Sequence, residues 1–195
     1  MLNKLGAIAK KKENIMSYDD FYDLMRRANE EQREILFHTM HHLISTDEPM
    51  REPLLIYLTG PAGSGKTFVI KGIMEIYNRF SDTDGIFNAY IACASTGKAA
   101  TAIGGSTVHS ALSISLEKAN QYRTLFKFVK VLIIDEISMV SAELLEQINA
   151  RLKQITGLFT KRFWRIRCYT YWRFATITSS KGHANLQANQ KKNNW

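Results

Sequence analysis

A short apolar run, Leu54-Leu-Ile-Tyr-Leu-Thr59, passes directly into Gly60-Pro-Ala-Gly-Ser-Gly-Lys66-Thr67. Bounded by Pro53 and Gly60, the run reads as a buried strand, and the stretch from Gly65 to about Tyr77 reads as a helix. The segment between them matches G-x-x-x-x-G-K-[ST], the phosphate-binding loop. Its glycines let backbone N–H groups turn inward around phosphate oxygens, where side chains would collide. The helix that follows offers its positive N-terminal end to the same anion. Gly60, Pro61, Ala62, Gly63, Ser64 and Gly65 form the cradle in this reading. Lys66 brings a mobile charge to the outer phosphates, and the Thr67 hydroxyl is placed for Mg²⁺.

A second element carries acids. Val131-Leu-Ile-Ile-Asp135-Glu136 is an apolar strand ending in two carboxylates. In an open α/β sheet that end is the ligand-binding edge. Asp135 would hold the Mg²⁺ shell and Glu136 would polarise an attacking water. An acidic pair after a strand is weak evidence alone; the phosphate loop upstream gives it a role. Tyr90–Ala94 is a further strand candidate, and Ala142–Ile155 reads as a helix. Helical spacing also runs from Ser17 to Ser45, with Ser17 as N-cap and Asp19 and Asp20 in the first turn. Strands alternating with helices imply an α/β fold with a parallel sheet. The pattern up to this point is that of a nucleoside triphosphatase.

The connecting stretches narrow the class. Asn29-Glu-Glu-Gln32-Arg33, the phosphate loop, Ala94-Ser-Thr-Gly97-Lys98-Ala-Ala100, Gly104-Gly-Ser-Thr107-Val-His109-Ser-Ala-Leu112 and Asp135-Glu-Ile-Ser138-Met139 occur in one order. Together they resemble the Pif family of superfamily-one DNA helicases, including Helitron-type helicase domains, over about Tyr18 to Ile155. The resemblance implies a P-loop NTPase with a RecA-like parallel sheet, here incomplete, flanked by helices. It implies an ATP-dependent 5′-to-3′ DNA helicase acting in repair, recombination and telomere maintenance, with ATP and Mg²⁺ as cofactors. By the same resemblance Gln32 reads the adenine, and Lys66, Thr67, Asp135 and Glu136 complete the ATP site. Thr96, Gly97, Lys98, Thr107 and His109 would touch single-stranded or partly duplex DNA.

Other residues have plainer readings. Cys93 fits a small core residue. Met139 and the stripe Leu144, Leu145, Ile148 and Leu152 fit the core face of a helix. Lys118, Arg123, Lys127 and Lys130 suit a mixed solvated face, with contact to a DNA backbone as the alternative for some of them. No Cys/His spacing around His109 suggests a metal site.

Composition enters through its unevenness. The 195 residues hold 26 Lys+Arg against 18 Asp+Glu, a net charge of +8 that ordinarily points towards nucleic acid. Residues 151–195 carry 10 of the basic residues and no acid, which leaves residues 1–150 at −2. Trp164, Trp172 and Trp195 all lie in this basic tail. Two cysteines exclude a disulfide scaffold. No apolar run is long enough for a membrane span and no signal peptide is evident, so an intracellular location, nuclear or mitochondrial, is expected.

The family pattern stops after the helix ending near Ile155. The family continues with an FGG turn, a strand ending in Gly-Asp, and Gln-Leu-Pro-Pro. Residues 156–195 show none of these and read as an irregular basic tail after a polar lead-in (1–16) and a partial motor domain (17–155). The genetic code offers a test. Tryptophan has the single codon TGG, so Trp followed by Arg, read one base later, gives GGC or GGA. Trp164 and Trp172 therefore both force glycine in the shifted frame. Read that way, Phe163 to Ala188 are compatible with FGGFDVILIGDLRQLPPVRATPIYKQ. This places a frame change between about Gln154 and Phe163.

The rival reading is a genuine basic-aromatic arm for stacking on single-stranded DNA. On the frameshift reading the sheet lacks the strand expected after Asp135-Glu136, leaving an unpaired edge. Little ATP turnover and no unwinding are then expected of this chain. Two function classes stand beside the helicase: a non-catalytic ATP- or DNA-binding remnant, and another P-loop NTPase such as a nucleotide kinase.

Overall fold

All strand pairings among the described residues are parallel, so the chain must cross back to the starting edge between paired strands. A computed structural model of the chain describes residues 16–44, 54–81, 87–112, 126, 128–157, 159 and 173–179. The elements are α1 (Tyr18–Arg27), α2 (Glu30–Ile44), β1 (Leu55–Gly60), α3 (Lys66–Phe80), β2 (Tyr90–Ala94), α4 (Gly97–Ala102), β3 (Ser106–Thr107), α5 (Val108–Leu112), β4 (Val131–Asp135), a 3₁₀ turn (Ile137–Met139), α6 (Ala142–Thr156) and β5 (Arg173–Ser179). The strand order is β1-β5-β4-β2-β3.

β4 shows why the sheet needs helices on both faces. Its residues Val131, Leu132, Ile133 and Ile134 are all buried. Val131 and Ile133 join a core with Leu36, Ile70, Ile73 and Tyr77 from α2 and α3. Leu132 and Ile134 join a second core with Val108, Leu112, Ile148 and Leu152 from α5 and α6. A continuous apolar strand is the signature of a sheet covered on both sides.

The helical spacing from Ser17 to Ser45 resolves into two helices. Ala28 has extended backbone (φ −61°, ψ 133°) and ends α1. Asn29 then opens α2 with a reciprocal cap: its Oδ1 accepts the Gln32 N–H at 2.8 Å, and its own N–H donates to Gln32 Oε1 at 3.1 Å. Ser17 caps α1 as expected, accepting the Asp20 N–H at 3.0 Å. Arg79, near the end of α3, clamps this region. It pairs with the buried Glu75 at 2.6 Å, donates to the Met16 and Ser17 carbonyls, and lies over the rings of Tyr18 and Phe21.

Three expectations change. The tail is not irregular throughout, because Arg173–Ser179 forms β5. The slot between β1 and β4 is not left unpaired, because β5 fills it, aligning Leu55 with Phe174 and Val131 with Arg173. Phe174, Thr176, Ile177 and Thr178 are residue types that favour strands, and parallel neighbours on both sides give this segment its ladder partners. Met139 is not a core residue; it sits on the 3₁₀ turn before α6 and is 65% exposed. The α6 stripe does pack inward, with Ile148 and Leu152 buried and Leu144 and Leu145 partly so. Cys93 is fully buried on β2, and burial pushes its thiol up to about 12. Lys118, Arg123 and Lys127 lie outside the described residues, as do Trp164, Trp172 and Trp195.

Candidate nucleotide site and adjoining sheet edge

Register brings the strand ends to one edge. Ala94 at the end of β2 aligns with Asp135 at the end of β4 and with Thr107 at the end of β3. Gly60 at the end of β1 aligns with Ser179 of β5, whose Ile177 aligns with Asp135. The phosphate loop, the acidic pair and the Thr96 and Thr107 segments therefore share the carboxyl edge of one sheet, where ligands of open α/β folds lie.

The phosphate loop is held in a conformation that glycine makes accessible. Gly63 and Gly65 have φ of +83° and +82°, in the left-handed region. A side chain at Gly65 would in addition run into the Gln32 amide. Ser64 donates its N–H to the Pro61 carbonyl at 3.2 Å. The Lys66 ammonium donates to the carbonyls of Gly60 and Pro61, each at 2.8 Å. Lys66 thus folds back over the loop, and the exposed Thr67 follows it in the first turn of α3.

Asp135 and Glu136 differ in backbone and environment. Partial burial raises the Asp135 carboxyl above its usual range, against the opposing pull of the Glu136 N–H and the Lys66 charge. Asp135 Oδ1 accepts that N–H at 2.9 Å. Glu136 has φ 53° and ψ 47°, the one non-glycine residue with positive φ among the described residues. A glutamate in this region costs on the order of 1 kcal/mol or more, a strain that clusters at functional sites. It lets the chain turn sharply out of β4 into the 3₁₀ turn, where the Met139 N–H returns to the Glu136 carbonyl.

The donor set fits a nucleoside triphosphate with Mg²⁺. Mg²⁺ is usually held by one or two carboxylates together with phosphates and water, so one hydroxyl and one carboxylate suffice. Among the described residues no group of three or more His, Cys, Asp or Glu side chains is arranged to hold a metal by itself.

Gln32 packs against the phosphate loop from α2. Its Nε2 donates to the Ser64 carbonyl at 3.3 Å. Thr96, Gly97 and Lys98 are exposed just beyond β2, and Thr96 caps α4 by accepting the Ala99 N–H at 3.3 Å. Thr107 similarly accepts the Ser110 N–H at 3.4 Å, and His109 is exposed on α5. These five residues follow the paired ends of β2 and β3, on the far side of β4 from the phosphate loop. Gly105 brings them together: a side chain there would collide with the Ala92 carbonyl, so β3 pairs closely with β2 only because Gly105 has none.

Sequence reasoning missed the Glu136 strain, the Gly105 contact and the Gln32–Ser64 bond. The Asn-x-x-Gln spacing is a capping-box pattern and signals the Asn29–Gln32 cap, whereas the Ser64 contact, 32 positions away, has no local signal.

The family model described as an AAA domain matches residues 47–160, more than half of the chain. The chain belongs to the AAA-domain family. Curated relatives that match include proteins named ATP-dependent DNA helicase Pif1. The ATP-dependent DNA helicase Pif1 of Campylobacter jejuni is 32% identical over 115 residues, covering 50% of this chain and 24% of that protein. The ATP-dependent DNA helicase PIF1 of Danio rerio is 34% identical over 145 residues, covering 67% of this chain and 21% of that protein. This AAA-domain chain thus spans a quarter or less of those relatives. Among solved structures, unliganded Pif1 from Bacteroides superposes with a TM-score of 0.55 at 28% identity, covering 78% of this chain and 31% of that one. Bacteroides Pif1 in complex with ADP-AlF3 and ssDNA gives 0.56 at 26% identity, covering 77% and 32%. The chain is therefore similar to the N-terminal, RecA-like part of a Pif1-type superfamily-one helicase.

Proposed function

We propose that this chain is the ATP·Mg²⁺-binding part of a Pif1-type ATP-dependent DNA helicase. The observation that carries the reading is the sheet edge itself, which unites the phosphate loop, Asp135-Glu136 and the Thr96 and Thr107 segments. The Bacteroides structure holding ADP-AlF3 and ssDNA supports both ligands. Lys66 leaves the Gly60 and Pro61 carbonyls to meet the outer phosphates, so its charge and the N–H groups of the loop neutralise the triphosphate. Gln32 reads the adenine. Glu136, turned out of β4 by its left-handed backbone, orients the attacking water and accepts its proton. Thr67 and Asp135 would hold Mg²⁺, which when bound would supply Lewis-acid stabilisation of charge on the phosphates. Thr96, Gly97, Lys98, Thr107 and His109 contact a single DNA strand. The likeness to helicases of the cell's DNA makes a nuclear or mitochondrial site of action part of the same proposal.

Titration of a fluorescent ATP analogue with Mg²⁺ tests this. The wild-type chain is expected to bind weakly, and Lys66→Ala to bind about a hundredfold more weakly still, the scale of lost charge-assisted hydrogen bonds. Equal binding by the two would sink the assignment. Turnover is a separate matter, because an arginine finger worth about 10³–10⁵ in rate comes from elsewhere in such motors. Negligible DNA-stimulated hydrolysis is expected of these 195 residues. Unwinding by the purified chain would overturn that.

We also propose that the coding sequence changes frame between about Gln154 and Phe163. The two glycines forced at Trp164 and Trp172 support it, as does the apolar strand spelled by the shifted frame. Sequencing the coding DNA decides: if no single-base change restores the shifted string, the idea fails.

A further inference from the structure

Gln32 makes three hydrogen bonds that together fix which way its amide faces. Its backbone N–H donates to Asn29 Oδ1, its Oε1 accepts the Asn29 N–H, and its Nε2 donates to the Ser64 carbonyl. Only one amide orientation satisfies both side-chain contacts. Reversed, the amide oxygen would face the Ser64 carbonyl and the NH₂ would face the Asn29 N–H, two repulsions in place of two bonds.

The loop has several internal ties. Lys66 holds the Gly60 and Pro61 carbonyls, and the Ser64 N–H holds Pro61. Gln32 adds a tie from outside it, through a residue 32 positions earlier in the chain. The contact is close: the space a side chain would need at Gly65 is the space the Gln32 amide fills. Gly65 is the left-handed N-cap of α3, so the amide braces the loop where it enters the helix.

We propose that Gln32 and the phosphate loop act as one hydrogen-bonded unit, with Asn29 as the positioning residue: its backbone N–H aims the amide, and its Oδ1, capping the Gln32 N–H, holds the two residues in the register that makes this contact. On this view Gln32 does more than read a base. Its amide holds the loop in its phosphate-binding shape, so base recognition and phosphate affinity are coupled. The Asn29–Ser64 frame leaves the amide one N–H and one lone pair, the donor–acceptor pair that an adenine edge requires. The proposal rests on the nucleotide reading above, and its test is designed to fail separately from that reading.

The test uses a ligand without a base. Tripolyphosphate and ATP, each with Mg²⁺, are titrated into the full chain and into Gln32→Ala, Asn29→Ala and Asn29→Ser, with thermal melts recorded for each. Coupling predicts that Gln32→Ala loses roughly tenfold in tripolyphosphate affinity, the scale of one hydrogen bond, and more than that for ATP. Asn29→Ala should lose a few-fold for both ligands, and Asn29→Ser, which keeps a capping oxygen, should restore them. A merely structural cap would shift the melt of Asn29→Ala without moving either affinity, and that result overturns the role of Asn29. Gln32→Ala that binds tripolyphosphate like wild type, losing ATP alone, overturns the coupling and leaves the nucleotide reading standing. A wild-type chain that takes neither ligand overturns both. If Gln32→Ala does not fold, the contrast between the two Asn29 variants decides.

Discussion

β4 and β5 are neighbours with the same formal place in the sheet, each parallel to a strand on either side. Their sequences differ in kind. β4 is Val-Leu-Ile-Ile-Asp, apolar until its acidic end, and both cores draw on it. β5 is Arg-Phe-Ala-Thr-Ile-Thr-Ser, with hydroxyl residues at Thr176, Thr178 and Ser179. A strand covered on both faces normally reads as a continuous apolar run. β4 obeys that rule, and β5 departs from it in the adjacent slot. The difference teaches that the slot is defined by its neighbours: β1 and β4 present facing ladders, and a compatible backbone occupies the gap. The shifted frame would place Val-Ile-Leu-Ile before Gly-Asp, a string that resembles β4 far more than β5 does.

Proline substitutions break the comparison most directly, because proline removes one ladder donor wherever it falls. Ile133→Pro should cost about 5 kcal/mol, combining the lost ladder bond with damage to a packed core, and should leave little folded chain. Ile177→Pro should cost less, about 2 kcal/mol, for the lost ladder bond. Thermal melts measure both. If Ile177→Pro melts like wild type, β5 contributes nothing to the folded sheet and the two strands are not equivalent members.

How much was legible follows the same divide. The strands β1, β2 and β4 and the helices α3 and α6 were readable because local pattern and tertiary place agree: apolar runs bounded by Pro or Gly, then amphipathic helices with caps. The phosphate loop and Asp135-Glu136 were readable because their chemistry demands fixed residue types. β5 was not, because its strand state comes from partners remote in sequence. The break between α1 and α2 was visible only as Asn29-x-x-Gln32, hidden inside a continuous helical spacing. The Glu136 backbone was invisible, since a glutamate gives no local hint of positive φ. Gly105 was noticed as part of a motif, while its reason, the Ala92 carbonyl against its Cα, is a tertiary contact.

Gly105 gives the next smaller effect and compares the two halves of the sheet edge. Gly105→Ala drives a methyl group into the Ala92 carbonyl, and backbone yields poorly. The expected cost is about 1–3 kcal/mol, as for other overpacked sites. The displacement falls on β3, so the Thr107 and His109 segment should move away from Thr96 while the phosphate loop stays in place. Single-stranded DNA affinity should therefore drop with nucleotide affinity unchanged. A parallel loss of nucleotide binding would show that the two halves are not separable.

The smallest effect sharpens the contrast from the side of the locally encoded region. Ser141 caps α6, accepting the Leu144 N–H at 3.2 Å. If α6 is encoded by its own signals, Ser141→Ala should cost about 1 kcal/mol, the usual worth of an N-cap. The melting temperature should then fall by roughly 2–4 °C for a chain of this size. The loss should also depend on pH. The Ser141 side chain, ahead of the Glu143 backbone N–H, holds the Glu143 carboxyl below its usual value. A depressed carboxylate stabilises the fold above its ordinary pKa, and that contribution disappears as pH falls through the depressed one. The difference between wild type and Ser141→Ala should thus be full at neutral pH and shrink in acid, where the neutral glutamate no longer rewards the hydroxyl. The residual difference at acid pH is the cap on Leu144 alone, and melts recorded across that range separate it from the share that belongs to the Glu143 charge.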